Sequence, residues 1–251
     1  MNKLVLLFLA MTTTLNAQVF RLMQVSSLAV VTCFIPPYAS NLSFDGFDKN
    51  VQVSDSPFDF ERTDAFSYGC WVKPNLLGTR YIIGKAVNGT GVGYQIITLS
   101  NKFRCDIIGT GGFNPDSISK TSSASVVGST WQHIFVTYDG SSNASGFKIY
   151  YNGSLDSSTT NKDVLSTSIL NNEVFEIGER NGGLDWSGEI ADARFYSVEK
   201  TATDVSNIYN CTNPDETGLV GHWILNEGSG ITATDSSGNG NDGIINGATW
   251  N

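Results

Sequence analysis

Charged residues, histidine and proline are all scarce in this chain. Only 16% of its 251 residues are Asp, Glu, Lys or Arg, two are histidine and six are proline. The 15 Lys and Arg residues form no cluster, so nucleic acid and anionic membrane surfaces are poor partners. The net charge of −9 is compatible with bound cations, although solubility alone is the commoner reason for such a balance.

Cysteine is also rare, and its spacing argues against a zinc site. The four cysteines form no CxxC pair and no Cys/His cluster. Cys70 and Cys105 both lie in strand-like runs and would pair if those strands were neighbours. We favour the alternative, in which both are small buried hydrophobic residues.

Long hydrophobic runs are missing, and the two short ones lie near the N-terminus. Residues 1–17 combine Lys3, an apolar run at 4–11 and Ala17, which is the layout of a secretory signal peptide cut after Ala17. The alternative is an apolar arm that docks into a partner. The second run, 28–35, belongs to an N-terminal segment over 18–40 and is too short for a bilayer, which needs about 20 apolar residues. We therefore expect no transmembrane segment.

What the chain does have is many short strand-like runs separated by Gly, Ser, Thr and Asn. Hydrophobic residues make up 40% of the sequence and aromatic residues 11%, which is enough to fill a core. Strands that recur this often, with almost no helix, indicate two packed antiparallel sheets. The clearest runs are 66–73, 81–85, 94–99, 102–108, 131–140 and 147–153, the last ending in an Asn152-Gly153 hairpin turn.

Residues 175–209 read as two strands followed by the one short helix. Apolar residues alternate with polar ones at Phe175 and Ile177, and again at Ala191, Ala193 and Phe195, which predicts half-buried strands. The period then changes to helical spacing, which predicts a helix near 201–209. In that helix Thr201 is the N-cap and Asp204 lies in the first turn.

This stretch resembles the closing segment of laminin-G-like jelly-roll domains, within the concanavalin A-like lectin/glucanase superfamily. The resemblance extends to the opening NLSFDGFDKNVQV at 41–53, to FSYGCWVK at 66–73 and to WQHIFVTYDG at 131–140. It implies an all-β, two-sheet antiparallel jelly-roll sandwich over residues 41–251. One departure is that Asp192, in GEIADARFY, falls one position later than the Asp of the family pattern.

Residues 218–250 resemble a segment that in the family precedes the first of these strands. We favour a circularly permuted domain, because the same strands are then supplied from the other end of the chain. The alternatives are a truncated second domain, which would leave apolar strands without a core, and a strand exchanged between chains.

The loop at 235–243 (DSSGNGNDG) offers side-chain oxygens on a glycine-rich backbone, which is a pattern that calcium uses. Relatives of this fold often bind calcium, and the resemblance brings Asp45, Asp48, Glu189 and Asp192 near the same rim. The alternative is plain turn chemistry, with Asp and Asn side chains bonding their own backbone. The predicted calcium ligands are Asp235, Asn239, Asn241, Asp242, Asp45 and Asp192.

An exposed aromatic ring beside Asn or Asp is a common way to bind a sugar. Trp186, with Asp185 beside it, and Tyr94 are the candidates for such a ligand site, although packing in the core is the commoner role of aromatic residues. Catalysis has little support, since Glu189 and Asp192 lack the spacing of a glycosidase carboxylate pair. His133 and His222 have no nucleophile elbow beside them.

We therefore expect a non-catalytic recognition module, extracellular, that binds a glycan or cell-surface polymer through its rim loops. One alternative is a structural or decoration protein on the surface of a virion or other assembly, docked by its N-terminal segment. Another is a degenerate glycosidase. Fold resemblance alone does not identify the ligand.

Overall fold

The computed structural model describes Pro36 and residues 40–251. The predicted signal peptide or arm at 1–17, and most of the segment at 18–40, lie outside the described residues. The described part of the chain forms seventeen strands and one α-helix, which are β1 (Leu42–Asp45), β2 (Asn50–Val53), β3 (Phe66–Pro74), β4 (Arg80–Ala86), β5 (Gly93–Leu99), β6 (Lys102–Ile108), β7 (Ser117–Ser125), β8 (Gln132–Tyr138), β9 (Phe147–Tyr151), β10 (Ser154–Leu155), β11 (Thr159–Asp163), β12 (Phe175–Ile177), β13 (Ser187–Tyr196), α1 (Ala202–Asn210), β14 (Leu219–Trp223), β15 (Thr232–Ala233), β16 (Gly243–Asn246) and β17 (Thr249–Trp250). Two short 3₁₀ helices, at Ser56–Phe58 and Ala144–Gly146, complete the described secondary structure.

The strands build two antiparallel sheets packed face to face. The eight-stranded sheet has the order β10-β9-β8-β3-β13-β1-β17, and β14 also pairs with β13. The nine-stranded sheet has the order β11-β7-β6-β5-β4-β12-β2-β16-β15. This confirms the all-β sandwich predicted from the alternating pattern. No helix within 40–251 is long and apolar enough to cross a bilayer.

The core between the sheets is built largely from aromatic rings. Phe58 stacks on Phe175 at 4.6 Å between ring centroids, and Phe66, Tyr94 and Phe195 pack around them. The strands that carry Cys70 and Cys105 belong to different sheets, and both thiols are free and buried. They are thus small buried hydrophobic residues, as we favoured, and not a disulfide pair.

Strand β13 contains a bulge that the sequence pattern hides. The pairing of β13 with β3 shifts between Ala191 and Arg194, and Asp192 in the gap has a φ of 48°. Because the extra residue reverses the alternation, Ala193 and Phe195 face the core while Ala191 pairs beside Trp71 outside it. The prediction that Ala191 shares a face with the other two is therefore wrong.

The two ends of the described chain are joined through strand pairing. β17 pairs with β1, β16 pairs with β2, and β14 pairs with β13. Residues 218–250 thus complete the same two sheets, as the permutation hypothesis requires. Asp45 and Gly46 connect β1 to β2 without forming a hairpin, because these two strands belong to different sheets.

Helix α1 matches its prediction closely. Thr201 and Asp204 form a capping box, in which the Thr201 side chain accepts from the Asp204 amide at 3.2 Å and Asp204 accepts from the Thr201 amide at 2.9 Å. Val205 and Ile208 then pack into a small second cluster of buried side chains. The cluster also contains Phe135, Tyr150 and Tyr196 of the eight-stranded sheet.

Candidate functional site

Three loops meet at one end of the sandwich, which we call the rim. Asp45 at the end of β1 is paired with Ser187 at the start of β13, and Asn75, just after β3, donates its amide to the carbonyl of Ser187 at 2.8 Å. The loops 46–49, 75–79 and 178–186 therefore lie side by side. Gly46 makes this close approach possible, since its φ is +90° and an added Cβ would lie 3.3 Å from that of Ser187.

Three carboxylates from two of these loops converge on one point of the rim. One oxygen from each of Asp48, Glu179 and Asp185 lies within 4.8 Å of the other two. We call this group the rim carboxylates. The Asp48 amide donates to Oδ1 of Asp185 at 3.1 Å, which ties the loop after β1 to the loop before β13.

Glu179 is the anchored member of the rim carboxylates. It is buried, with Oε1 accepting from the amide of Gly182 at 2.7 Å and Oε2 from the side-chain amide of Asn50 at 2.9 Å. Asn50 is held in turn by Asn246 at 2.8 Å. The carboxylate is thus fixed in place before any ligand arrives.

The electrostatics of the rim carboxylates favour a bound cation. Burial raises the pKa of Glu179, and the negative charges of Asp185 and Asp48 raise it further. None of the ion pairs found within 4.0 Å among the described residues includes Asp48, Glu179 or Asp185. The rim carboxylates therefore have no cationic partner in this part of the chain. The nearby Arg80 donates to the backbone carbonyl of Asp185 at 3.1 Å and not to its carboxylate.

The donor set suits calcium. Calcium takes six to eight oxygen ligands, and each rim carboxylate offers one oxygen close to the other two, with water and backbone oxygens for the rest. Asp48 is exposed and Asp185 partly exposed, so the cluster is open to solvent. Of the predicted calcium ligands, Asp45 lies at this rim, but its Oδ1 accepts from the Phe47 amide at 3.0 Å.

The loop after β1 carries an exposed aromatic residue. Phe47 directly precedes Asp48, one of the rim carboxylates, and 74% of its surface is exposed. Leu76 and Leu77, in the neighbouring loop, are also exposed. Isolated apolar residues on a surface need no explanation, but an exposed phenyl ring beside a cluster of oxygen ligands offers both elements of sugar recognition.

The predicted calcium loop at 235–243 is closed by its own hydrogen bonds. Asp235 accepts from the amides of His222, Ser237 and Asn241, and Asp242 accepts from the amide of Asp235. Asn239 and Asn241 direct their side-chain amides to the carbonyl of Val220 at 3.1 and 2.8 Å. The oxygens of Asp235 are therefore used to fasten the loop to β14, as the turn alternative proposed.

The remaining predicted ligand residues are mostly buried. Trp186 is fully buried in the core, and Tyr94 is 2% exposed with its hydroxyl donating to the carbonyl of Phe58 at 2.9 Å. The expectation of exposed sugar-stacking faces is therefore wrong for both residues, because each fills the space between the sheets. Asp192 is also buried, and its carboxylate is bonded to Arg194 and His222. Of these four remaining residues (Trp186, Tyr94, Asp192 and Asp185), only Asp185 lies at the rim, where Asp45 lies as well.

The two carboxylates considered for catalysis each form an ion pair with a basic side chain. Glu189 pairs with Lys73 at 2.8 Å, and Asp192 pairs with Arg194 at 3.1 Å. His133 is buried among aromatic rings, between Trp71, Phe135 and Tyr209. These contacts assign packing and charge-pairing roles to the residues concerned.

Sequence reasoning missed Glu179 and Phe47 as functional candidates and noted Asp48 only as a neighbour. Glu179 precedes the turn residues Asn181 and Gly182, and that turn is the only local signal that its side chain is fixed. Its approach to Asp48 depends on two loops more than a hundred residues apart, which no local pattern reveals.

The comparisons with known proteins agree with this architecture. A family model described as the concanavalin A-like lectin/glucanases superfamily matches residues 45–206. No curated protein matches the sequence.

Solved structures resemble the fold at low sequence identity. A candidate carbohydrate-binding protein of Bacteroides ovatus is 18% identical with a TM-score of 0.62, and the match covers 84% of this chain but only 59% of that one. The heptameric pentraxin of Limulus polyphemus is 17% identical with a TM-score of 0.56, over 84% of this chain and 94% of the other. Both are similar in fold alone. Because the family model covers more than half of the sequence, the chain belongs to the concanavalin A-like lectin/glucanases superfamily.

Proposed function

We propose that this protein is a non-catalytic recognition module that binds a glycan at the rim, with calcium held by Asp48, Glu179 and Asp185. The observation that carries the proposal is the convergence of three carboxylates without a cationic partner, with the exposed Phe47 directly before one of them. In this proposal calcium supplies the positive charge that holds sugar hydroxyl or carboxylate oxygens. Phe47 stacks against the apolar face of the sugar ring.

An extracellular location belongs to the same proposal. Two of the three rim carboxylates are accessible to water, which fits the weaker class of calcium sites found in extracellular modules. The similarity in fold to a candidate carbohydrate-binding protein supports the ligand class without identifying the sugar.

The test is a glycan array probed with the full chain, in buffer with calcium and in buffer with EDTA. We expect binding in calcium that EDTA abolishes. Asp185→Asn removes one charged ligand while preserving shape, and we expect it to lose both calcium binding and glycan binding. The matched control is Glu199→Gln, which neutralises a carboxylate paired with Lys148 on the eight-stranded sheet.

Two results would contradict the proposal in different ways. Glycan binding that survives EDTA and Asp185→Asn would move the site away from the rim. Calcium binding measured by calorimetry, with no glycan retained on the array, would leave a metal site and remove the recognition function.

A further inference from the structure

Helix α1 ends at a cysteine that takes part in a disulfide bond. Cys211 is the C-cap of this helix and is disulfide-bonded. It is partly exposed, and its φ of 55° lies in the left-handed region, where helix ends usually carry glycine. A residue with a Cβ is strained in this conformation. The presence of cysteine is therefore better explained by the bond that its sulfur forms than by the needs of the turn.

The composition of the chain leaves one candidate for the other half of this bond. Of the four cysteines, Cys70 and Cys105 are free and buried. Burial raises the pKa of both thiols, and because the thiolate is the reactive form, neither competes for a disulfide in the folded protein. The remaining cysteine is Cys33, which precedes β1 and lies outside the described residues.

The connection from Cys33 to the sandwich is short. Residues 34–40 join Cys33 to Asn41, and eight Cα–Cα steps of this kind span at most about 26–29 Å. Pro36, within the connection, is buried and so packs against other residues of the chain. Cys33 must therefore lie within that distance of the start of β1.

The end of α1 lies within the same reach of β1. Leu42, near the start of β1, is paired with Ile190 of β13, and the next residue of β13 is paired with Trp71 of β3. Two strand spacings, about 10 Å in all, thus separate β1 from β3 at this level. The ring of Trp71 stacks on Tyr209 of α1 with 5.1 Å between the ring centroids. Cys211 follows Tyr209 by two residues, which adds at most about 7 Å.

We propose that Cys33 and Cys211 form an intramolecular disulfide bond that ties the N-terminal segment to the end of helix α1. Oxidation joins the two Sγ atoms. Each thiol loses its proton, and the pair gives two electrons to a disulfide oxidant such as oxidised glutathione, which is reduced to two thiols. The bond closes a loop of about 180 residues, and a loop of this length strongly restricts the unfolded chain. The inference is independent of calcium, of the rim and of the proposed function.

The bond has two consequences for the protein. Disulfides form and persist in oxidising compartments, which agrees with the extracellular location proposed above. The bond also fixes the chain at Cys33, so an arm that docks into a partner could use only the residues before that point.

The experiment is peptide mapping of the full chain after it has folded in a buffer of reduced and oxidised glutathione. Free thiols are blocked with iodoacetamide in denaturant, and trypsin then releases residues 22–49, with Cys33, and residues 201–251, with Cys211. We expect mass spectrometry to find these two peptides joined before reduction and separate after it. Titration of the denatured chain should give two thiols before reduction and four after it.

Serine variants test whether the two cysteines act through one bond. Cys33→Ser and Cys211→Ser should each lower the thermal midpoint by about 5–15 °C. The double variant should lower it no further, because either substitution removes the whole bond. Reductant is the matched control, since it should lower the midpoint of the wild type to a similar extent and leave that of the double variant unchanged.

Three results would overturn the proposal. The first is alkylation of both Cys33 and Cys211 in the unreduced chain. The second is a bond between two Cys211 peptides, seen as a dimer on a non-reducing gel, which would assign the partner cysteine to a second copy of the chain. The third is an additive loss of stability in the double variant, because two separate packing effects would then replace the shared bond.

Discussion

Nε2 of His222 lies 2.5 Å from Oδ1 of Asp192, and both side chains are buried. Arg194 donates from Nε to the same carboxylate oxygen at 3.1 Å and from Nη1 to Glu216 at 3.1 Å. Burial works to raise the pKa of Asp192, but the charge of Arg194 and the hydrogen bond from His222 lower it to about 2. The carboxylate is therefore ionised in the folded protein and balances a buried guanidinium.

Removing that carboxylate should destabilise the fold severely. Asp192→Asn removes the buried counter-charge of Arg194 and leaves only the partly exposed Glu216, and we expect the free energy of unfolding to fall by about 3–5 kcal/mol. Urea denaturation at neutral pH measures it. Glu199→Gln, which breaks the more exposed pair with Lys148, should cost at most about 1 kcal/mol. Equal effects of the two substitutions would show that the buried pair is not a stabilising unit.

Moderate acid should destabilise the protein through His133. Burial lowers the pKa of this side chain from 6.5 to about 4. The unfolded chain thus takes up a proton near pH 6.5 while the folded chain stays neutral until about pH 4. Between those values the free energy of unfolding should fall by about 3 kcal/mol as the pH drops.

His133→Phe should flatten this part of the pH profile, because a phenyl ring keeps the packing against Trp71 and Tyr209 without a titrating group. Urea denaturation at a series of pH values compares the variant with the wild type. A slope that persists in the variant would assign the acid sensitivity to other groups.

Calcium should separate the wild type from a substitution at Glu179. The pKa of this side chain is raised by burial and by Asp185 and Asp48, so Glu179→Gln removes repulsion. The new amide group also loses one of the hydrogen bonds from Gly182 and Asn50, so the thermal midpoint in EDTA should change little. In calcium the wild type should gain stability and the variant should gain far less. Differential scanning fluorimetry in both buffers provides the comparison. An equal calcium-induced shift in both proteins would exclude Glu179 as a ligand.

Phe47→Ala should reduce glycan binding without affecting stability. The ring is 74% exposed, so its loss leaves no cavity, but the stacking contact with the sugar disappears. We expect about tenfold weaker binding to a glycan identified on the array. Leu155→Ala is the matched control, since Leu155 is 60% exposed on β10 at the far edge of its sheet. A comparable loss in both variants would make the effect unspecific.

Thr201→Ala should remove the N-cap of helix α1 and cost about 1 kcal/mol. Thr201→Ser keeps the hydroxyl that accepts from the amide of Asp204, and should restore most of that stability. Equilibrium unfolding of the three proteins decides the matter. If serine behaved like alanine, the capping bond would not be the source of the effect.

Structural elements that depend only on residues close together in the chain could be predicted from the sequence. The alternation at Phe175 and Ile177, the turn at Asn152-Gly153 and the cap at Thr201 all concern residues close together in the chain, and each was predicted. The bulge at Asp192 was hidden, because one inserted residue leaves composition unchanged while it reverses the faces of a strand.

The candidate site was harder to predict than the fold. Trp186 and Asp185 are neighbours in the sequence, but one is buried in the core and the other lies at the rim. A loop has no regular alternation of apolar and polar residues from which to predict which of its side chains are buried. The loop at 235–243 has the composition of a metal site, yet its oxygens bond its own backbone, and composition alone does not separate these outcomes.

The pairing of Leu42 in β1 with Trp250 in β17 has a consequence for folding kinetics. These strands are about 200 residues apart in the chain, and closing so long a loop costs entropy before any contact compensates for it. On a ribosome, one side of β1 in the first sheet and one side of β2 in the second would stay unpaired until β17 and β16 had emerged. We therefore expect slow folding, on the scale of milliseconds to seconds or longer, with an aggregation-prone species until the two ends have met.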